Sequence, residues 1–219
     1  YFTQKTGFSI HECEWANISR PELISEIHRE YVKAGAQFLR TNTFSANTKS
    51  LGRPLADVLE IVRAGYRLAK EAAGCQAVAA TLTELSPFDQ IADYLKKKKP
   101  ECKVLISFTV SPEGITRLGV PLRRLLDEVK PHRELFDGIG LNCGCGPAHI
   151  LKFARELLSY SRQYLSLPVL VMPNAGYPAM EENRTVFDTS PEYFSHQAVR
   201  IAELGVDMIG GCCGTTPKH

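Results

Sequence analysis

The chain has 219 residues, enough for one sizeable α/β domain with its own core, and 44% of them are hydrophobic against 23% charged. Its 26 Lys and Arg against 24 Asp and Glu leave a formal charge of +2, which gives no electrostatic reason to expect nucleic acid or an anionic membrane surface as a partner. No apolar run reaches the ~18 residues of a membrane span, and the opening YFTQKTGFSI lacks the basic-then-apolar pattern of a signal peptide, so a cytoplasmic protein is expected.

In chain order, Ser19 reads as an N-cap and Pro21 as part of the first turn of a helix over 20–34. There Leu23, Ile24, Ile27, Tyr31 and Val32 recur at helical spacing before Gly35 ends the pattern. Residues 36–44 then read as a strand, and 54–73 as an amphipathic helix closed by Gly74. Further strands are expected over 76–82, 103–110, 137–142, 168–172 and 206–210, each apolar on both faces as buried parallel strands are. Helices are expected between them over 87–99, 120–131, 147–165 and 190–204. Repeated βα units without a linker point to one parallel sheet with helical crossovers, either open or closed as a (β/α)8 barrel. Six strands are legible, two short of a closed barrel, and one of the missing pair is expected to precede residue 1.

Other features read as structural. The run from Lys96 to Lys99 before Pro100 ends a helix, where positive charge complements the macrodipole and stays solvated. His28 and His196 lie inside periodic helices and suit packing better than ligation. Cys75 and Cys102 stand where strands begin, as small hydrophobes, and Cys13 in HECEW has no partner at metal-ligand spacing.

Seven cysteines are an odd number, and four of them bunch into two Gly-rich turns instead of spreading as a disulfide framework does. The first turn is GIGLNCGCGP at 138–147, carrying Cys143 and Cys145; the second is IGGCCGTTP at 209–217, carrying Cys212 and Cys213. Both follow predicted strands directly, the place where parallel α/β folds put their active sites. Flanking glycines let the backbone turn so that adjacent sulfurs reach one point. Cys143, Cys212 and Cys213 are therefore expected to converge on one Zn2+, with Cα atoms well within ~12 Å, leaving an exchangeable fourth position of the kind that catalytic zinc keeps. Cys145 could replace Cys143 or close a four-thiolate site; the spacing does not choose. Three other readings stand beside this one. The cysteines could be buried small residues without metal, the zinc could be structural in a domain without turnover, or GGCCGTTP could cradle phosphate on its backbone N–H groups, although neither turn contains Lys or Arg.

LNCGCGP at 141–147 and GGCCGTTP at 210–217, together with RTNTFSAN at 40–47 and MPNAGYP at 172–178, resemble the homocysteine S-methyltransferase family, especially the homocysteine-binding domain of cobalamin-dependent methionine synthase. The resemblance covers nearly the whole chain and implies a (β/α)8 barrel over 1–219 lacking its first strand and an internal segment. It implies zinc on Cys143, Cys212 and Cys213, with Cys145 a neighbour and Asn174 a resting-state ligand. It further implies a zinc-bound homocysteine thiolate that accepts a methyl group to give methionine. Glu84 is similar to the family's substrate-binding glutamate, and Asn42 and Thr43 are placed with it at the substrate. The GTTP ending resembles the branch whose methyl group comes from methylcobalamin and 5-methyltetrahydrofolate, supplied by a corrinoid- or folate-binding module elsewhere. S-methylmethionine, S-adenosylmethionine or betaine are the alternative donors. Direct joining of TLTEL where family members have a further loop, helix and strand marks the missing segment near Thr81–Leu82.

Overall fold

The computed structural model describes residues 1–7, 13–73, 77–79, 93, 96–97, 103–181 and 184–219. The chain forms two compact units, Tyr1–Ser86 and Pro87–His219.

In the first unit, short helices α1 (Phe2–Thr6) and α2 (Ala16–Ser19) precede α3 (Pro21–Lys33), followed by β1 (Phe38–Arg40), α4 (Thr48–Leu51), α5 (Leu55–Ala73) and β2 (Ala77–Ala79). The expected N-cap moves by one residue. Ser19 closes α2, where its hydroxyl donates to the Trp15 carbonyl, and Arg20 precedes Pro21 at the head of α3 without a side-chain cap. Gly35 is left-handed (φ 99°), so the helix stops there as expected. Ile24 and Ile27 of α3 pack with Leu68 of α5, Ala16 and Phe2 into a small core. β1 and β2 are parallel, with Phe38, Leu39 and Arg40 paired to Ala77, Val78 and Ala79. β1 is much shorter than the predicted 36–44: past Arg40, the Thr41 and Thr43 hydroxyls bond each other and Asn42 turns its amide to Cys13 and Asn17.

The second unit carries β3 (Leu105–Phe108), α6 (Leu122–Val129), β4 (Gly138–Asn142), α7 (Pro147–Tyr160), β5 (Val169–Met172), the hairpin β6 (Pro178–Glu181) and β7 (Arg184–Phe187), α8 (Pro191–Ala202) and β8 (Met208–Ile209). Four strands pair in parallel in the order β3-β4-β5-β8. An α/β fold with a parallel sheet is thus present; among the described residues the four strands of the second unit form an open ladder, β3 and β8 at its edges. α6 passes into a 3-10 turn over Lys130–Leu135, where Pro131 lacks the N–H that another α turn needs, and α7 finishes as a π turn over Ser161–Leu165. The antiparallel β6–β7 hairpin was not expected from the sequence.

One face of this sheet is sealed by helices. Ile139, Leu141, Val169 and Val171 are almost fully buried against Leu122, Leu126 and Val129 of α6, Ile150, Phe153, Ala154 and Leu157 of α7, and Ile201 of α8. Truncating a fully buried leucine such as Leu126 or Leu157 to alanine costs about 2–5 kcal/mol by lost transfer energy and cavity formation. The opposite face presents Leu105, Ser107, Asn142, Leu170 and Met172, of which Leu105 is 40% exposed. At the N-terminal ends of the strands an aspartate recurs. Asp137 donates its N–H to the Val104 carbonyl and accepts the Val104 N–H on its carboxylate at 2.9 Å. Asp207 does the same to Val169, at 3.0 and 2.8 Å. Lys96, read from the sequence as solvated, instead pairs with Asp137 at 2.6 Å, while Lys97 pairs with Asp93. Among the described residues no helix is long and apolar enough to cross a membrane.

Candidate metal centre

The site grows out of the C-terminal ends of β4, β5 and β8. After Asn142 the chain turns through two successive left-handed residues, Cys143 (φ 55°) and Gly144 (φ 72°), and the Cys145 N–H closes the turn on the Cys143 carbonyl at 2.8 Å. The glycine is obligatory: a Cβ on Gly144 would stand 1.9 Å from the Val110 carbonyl oxygen. The turn throws the two cysteines apart. Cys143 stays at the opening, whereas Cys145 points into the helix-packed core with no exposure, where burial pushes its thiol up to about 11. This geometry resolves the ambiguity left by the spacing, since Cys145 does not join the other sulfurs.

The second turn is hung from β5. Cys212 donates its N–H to the Pro173 carbonyl at 2.8 Å, and Thr215 returns both its N–H and its hydroxyl to the Cys212 carbonyl. The Cys213 N–H goes to Asn174 Oδ1 at 3.1 Å and its carbonyl accepts the Ala175 N–H at 2.9 Å. Gly211 and Gly214 have no room for a Cβ, because Thr215 and Phe187 occupy those places.

These constraints bring Cys143, Cys212 and Cys213 together, with sulfurs all within 4.8 Å of one another. In this structure Cys143 and Cys212 are paired as a disulfide with Cα atoms 5.6 Å apart, and Cys213 Sγ lies 3.6 Å from Cys143 Sγ. Three thiols fit zinc in kind and in spacing, since tetrahedral sulfurs on Zn–S bonds of ~2.3 Å stand about 3.8 Å apart. A disulfide withholds two sulfurs from any metal; reduction returns them. Cys213 is exposed and the other two half-buried, so the cluster opens to solvent on one side.

The remaining residues singled out by sequence fall differently. Asn174 is buried beside the cluster, with its amide oxygen committed to the Cys213 peptide. Asn42 and Thr43 belong to the first unit. Asn42 accepts the Cys13 thiol on Oδ1 at 2.9 Å and donates Nδ2 to the Cys13 carbonyl and to Asn17 Oδ1; Thr43 is buried and shares a hydrogen bond with the Thr41 hydroxyl. Glu84 and the Thr81–Leu82 junction lie outside the described residues, as do Gly74, Cys75 and Cys102. Sequence reasoning did not single out Ser107, whose hydroxyl meets Asn142 Oδ1 at 2.6 Å just before Cys143, and no sequence signal marked it.

Comparison with known proteins bears on this geometry. The family model described as Homocysteine S-methyltransferase matches residues 4–88 and 77–219. The methionine synthase of Mycobacterium leprae (strain TN) is 29% identical over 268 residues, and that of Mycobacterium tuberculosis (strain ATCC 25618 / H37Rv) is 29% identical over 261. Each match covers 94% of this chain and 21% of the relative, so the chain spans about a fifth of the length of these curated relatives. Among solved structures, the oxidized form of the Escherichia coli homocysteine methyltransferase MmuM superposes with a TM-score of 0.73 at 19% identity, and its metallated form with 0.70 at 20%. Both cover 98% of this chain and 88% of that one, a likeness of fold.

Proposed function

The chain belongs to the homocysteine S-methyltransferase family, and from that premise we propose that it transfers a methyl group to the sulfur of homocysteine, giving methionine, at the three-cysteine cluster. The observation that carries the reading is the convergence of Cys143, Cys212 and Cys213 within 4.8 Å at the ends of β4 and β8. These cysteines would hold Zn2+, which supplies the means for a substrate thiol, ordinarily protonated at neutral pH with a pKa near ~8.5, to be present as the nucleophilic thiolate.

The chain's own residues do the rest. Three cysteine ligands leave one tetrahedral position for the substrate sulfur, and the exposed edge at Cys213 is the side from which it enters. The paired left-handed turn at Cys143–Gly144 aims one sulfur at the opening while Cys145 is turned away, which supports a ligand set of three with a fourth place available. Glu84 is proposed to receive the substrate ammonium, with Asn42 and Thr43 shaping the end of β1 near the amino acid. The methyl donor is proposed to be methylcobalamin charged from 5-methyltetrahydrofolate, carried by another module or partner and acting in the cytoplasm; S-methylmethionine, S-adenosylmethionine and betaine are the alternatives.

A barrel that closes around residues 1–219 as one domain is part of the same proposal. Its support is the half-exposed second face of the β3-β4-β5-β8 sheet and the fold likeness to the Escherichia coli enzyme. The two family matches overlap at 77–88, and the longer alignment to the relatives runs over more residues than the whole chain has, which supports an internal segment present in relatives and missing here.

The test is to supply homocysteine to the reduced, zinc-loaded chain with each donor in turn and measure methionine. Turnover with the corrinoid donor is expected. Turnover with a sulfonium donor alone would reassign the donor and keep the thiolate chemistry, whereas binding of phosphate without zinc would replace the proposal altogether.

A further inference from the structure

Asn174 stands where the two cysteine turns meet, and its bonds reach both. Its own N–H donates to the Cys145 carbonyl at 3.1 Å, in the turn after β4, and its Oδ1 accepts the Cys213 N–H at 3.1 Å, in the turn after β8. On either side of it Pro173 accepts the Cys212 N–H and Ala175 donates to the Cys213 carbonyl. The residue is 7% exposed, so water competes poorly for the amide. Nothing else of Asn174's type is needed for the backbone part of this ladder, which any residue could supply; only the bond from the Cys213 peptide requires a side-chain acceptor at this position.

We propose that Asn174 is a positioning residue: its amide oxygen holds the Cys213 peptide so that the sulfur of Cys213 faces that of Cys143, assembling the three-thiol cluster before any metal or substrate arrives. The proposal rests on the reading of the cluster as a metal site, and it differs from a role as ligand in a measurable way. A ligand matters only once a metal is bound. A strut already acts in the metal-free, reduced protein, through a backbone amide that carries no metal chemistry of its own.

The experiment therefore starts without metal. In the reduced, metal-free chain, hydrogen exchange of the Cys213 amide is followed in the unaltered protein, Asn174→Ala and Asn174→Asp. Loss of one buried acceptor should speed that exchange roughly fivefold or more, while the carboxylate of Asn174→Asp accepts the same N–H and should return it to within about twofold of the unaltered chain. Zinc affinity, measured by competition with a chromophoric chelator, should fall about 10- to 100-fold in Asn174→Ala and recover in Asn174→Asp, as losses of groups that orient ligands do. If Asn174→Ala does not fold, a through-hydrogen-bond NMR coupling from the Cys213 amide nitrogen to the Asn174 side-chain carbonyl in the unaltered chain takes its place; its absence overturns the proposal. Equal Cys213 exchange in Asn174→Ala and the unaltered chain also overturns it. A chain that binds no zinc but shows the exchange difference would remove the metal reading and leave the strut standing.

Discussion

The two units each set a cysteine beside an asparagine just beyond a parallel strand, with opposite results. After β1, Asn42 takes the Cys13 thiol itself on Oδ1, and burial, with the Glu14 carboxylate adding to it, pushes that thiol up to about 12. After β5, Asn174 takes a cysteine's peptide N–H instead, and among the described residues the sulfurs of Cys143, Cys212 and Cys213 accept no hydrogen bond from any other residue type. Burial and a neighbouring carboxylate retire the Cys13 thiol whose hydrogen bond Asn42 accepts, while the amide that holds the Cys213 backbone leaves that sulfur exposed. Residue type and position after a strand were alike in both places. The atom that the amide chose was not.

The largest effect that separates the two regions is expected from ligand deletion. Cys212→Ala should lower methionine formation by at least about 1,000-fold and abolish stoichiometric zinc, with thermal unfolding little changed because the site lies at loop ends. Cys13→Ala should keep zinc content and turnover within about threefold. Loss of zinc in Cys13→Ala, or unfolding of Cys212→Ala, would break the contrast. Alkylation sharpens it next: in reduced, metal-free protein near pH 8, mass spectrometry should find iodoacetamide on exposed Cys213 while half-buried Cys13 and buried Cys145, both with raised thiol pKa values, remain unmodified and begin to react only as pH rises.

A smaller effect tests the structural role of the first region. Asn42→Ala strips three hydrogen bonds from the β1 turn and should cost about 2 kcal/mol in denaturant unfolding, with zinc affinity unaltered. The smallest is a pH dependence confined to the first unit. His28 is buried on α3, its Nε2 finds no hydrogen-bond partner among the described residues, and desolvation lowers its pKa below the ordinary ~6.5. The unfolded chain then takes up the proton first as pH falls. Stability should decline below about pH 6.5, and His28→Leu should flatten that decline between pH 7 and 5.

Much of this was legible because it rests on periodicity and on glycine. Helices α3, α5 and α8, and α7 with the π turn that ends it, fall within a residue or two of their apolar patterns, and Gly144, Gly211 and Gly214 announced turns too tight for any side chain. Two adjacent cysteine turns after strands were enough to expect convergence. The β6–β7 hairpin was hidden because it interrupts a βα unit with a local antiparallel pair, which no parallel-sheet pattern anticipates. Ser19 reads as a cap by type but is consumed by the turn before it. The direction of Cys145 depends on a left-handed φ at Cys143, a conformation that a non-glycine residue does not advertise. Likewise the motif MPNAG marks Asn174 as a residue of interest without saying which of its atoms is already engaged.

The aspartates beneath the strands have a bearing on the chemistry above them. β8 is only Met208 and Ile209, and backbone bonds from Gly210 to Val171 and from Cys212 to Pro173 extend its pairing with β5. A slip by two residues would keep every side chain on its own face and would pass unnoticed by the hydrophobic core, yet it would carry Cys212 and Cys213 about 7 Å along the sheet, away from Cys143 and Asn174. The paired bonds between Asp207 and Val169 oppose that slip at the far end of the ladder, since only one register brings the carboxylate to the Val169 N–H. Asp207 thus acts as an index mark at the far end of the strand, setting the alignment of sulfur atoms it never touches.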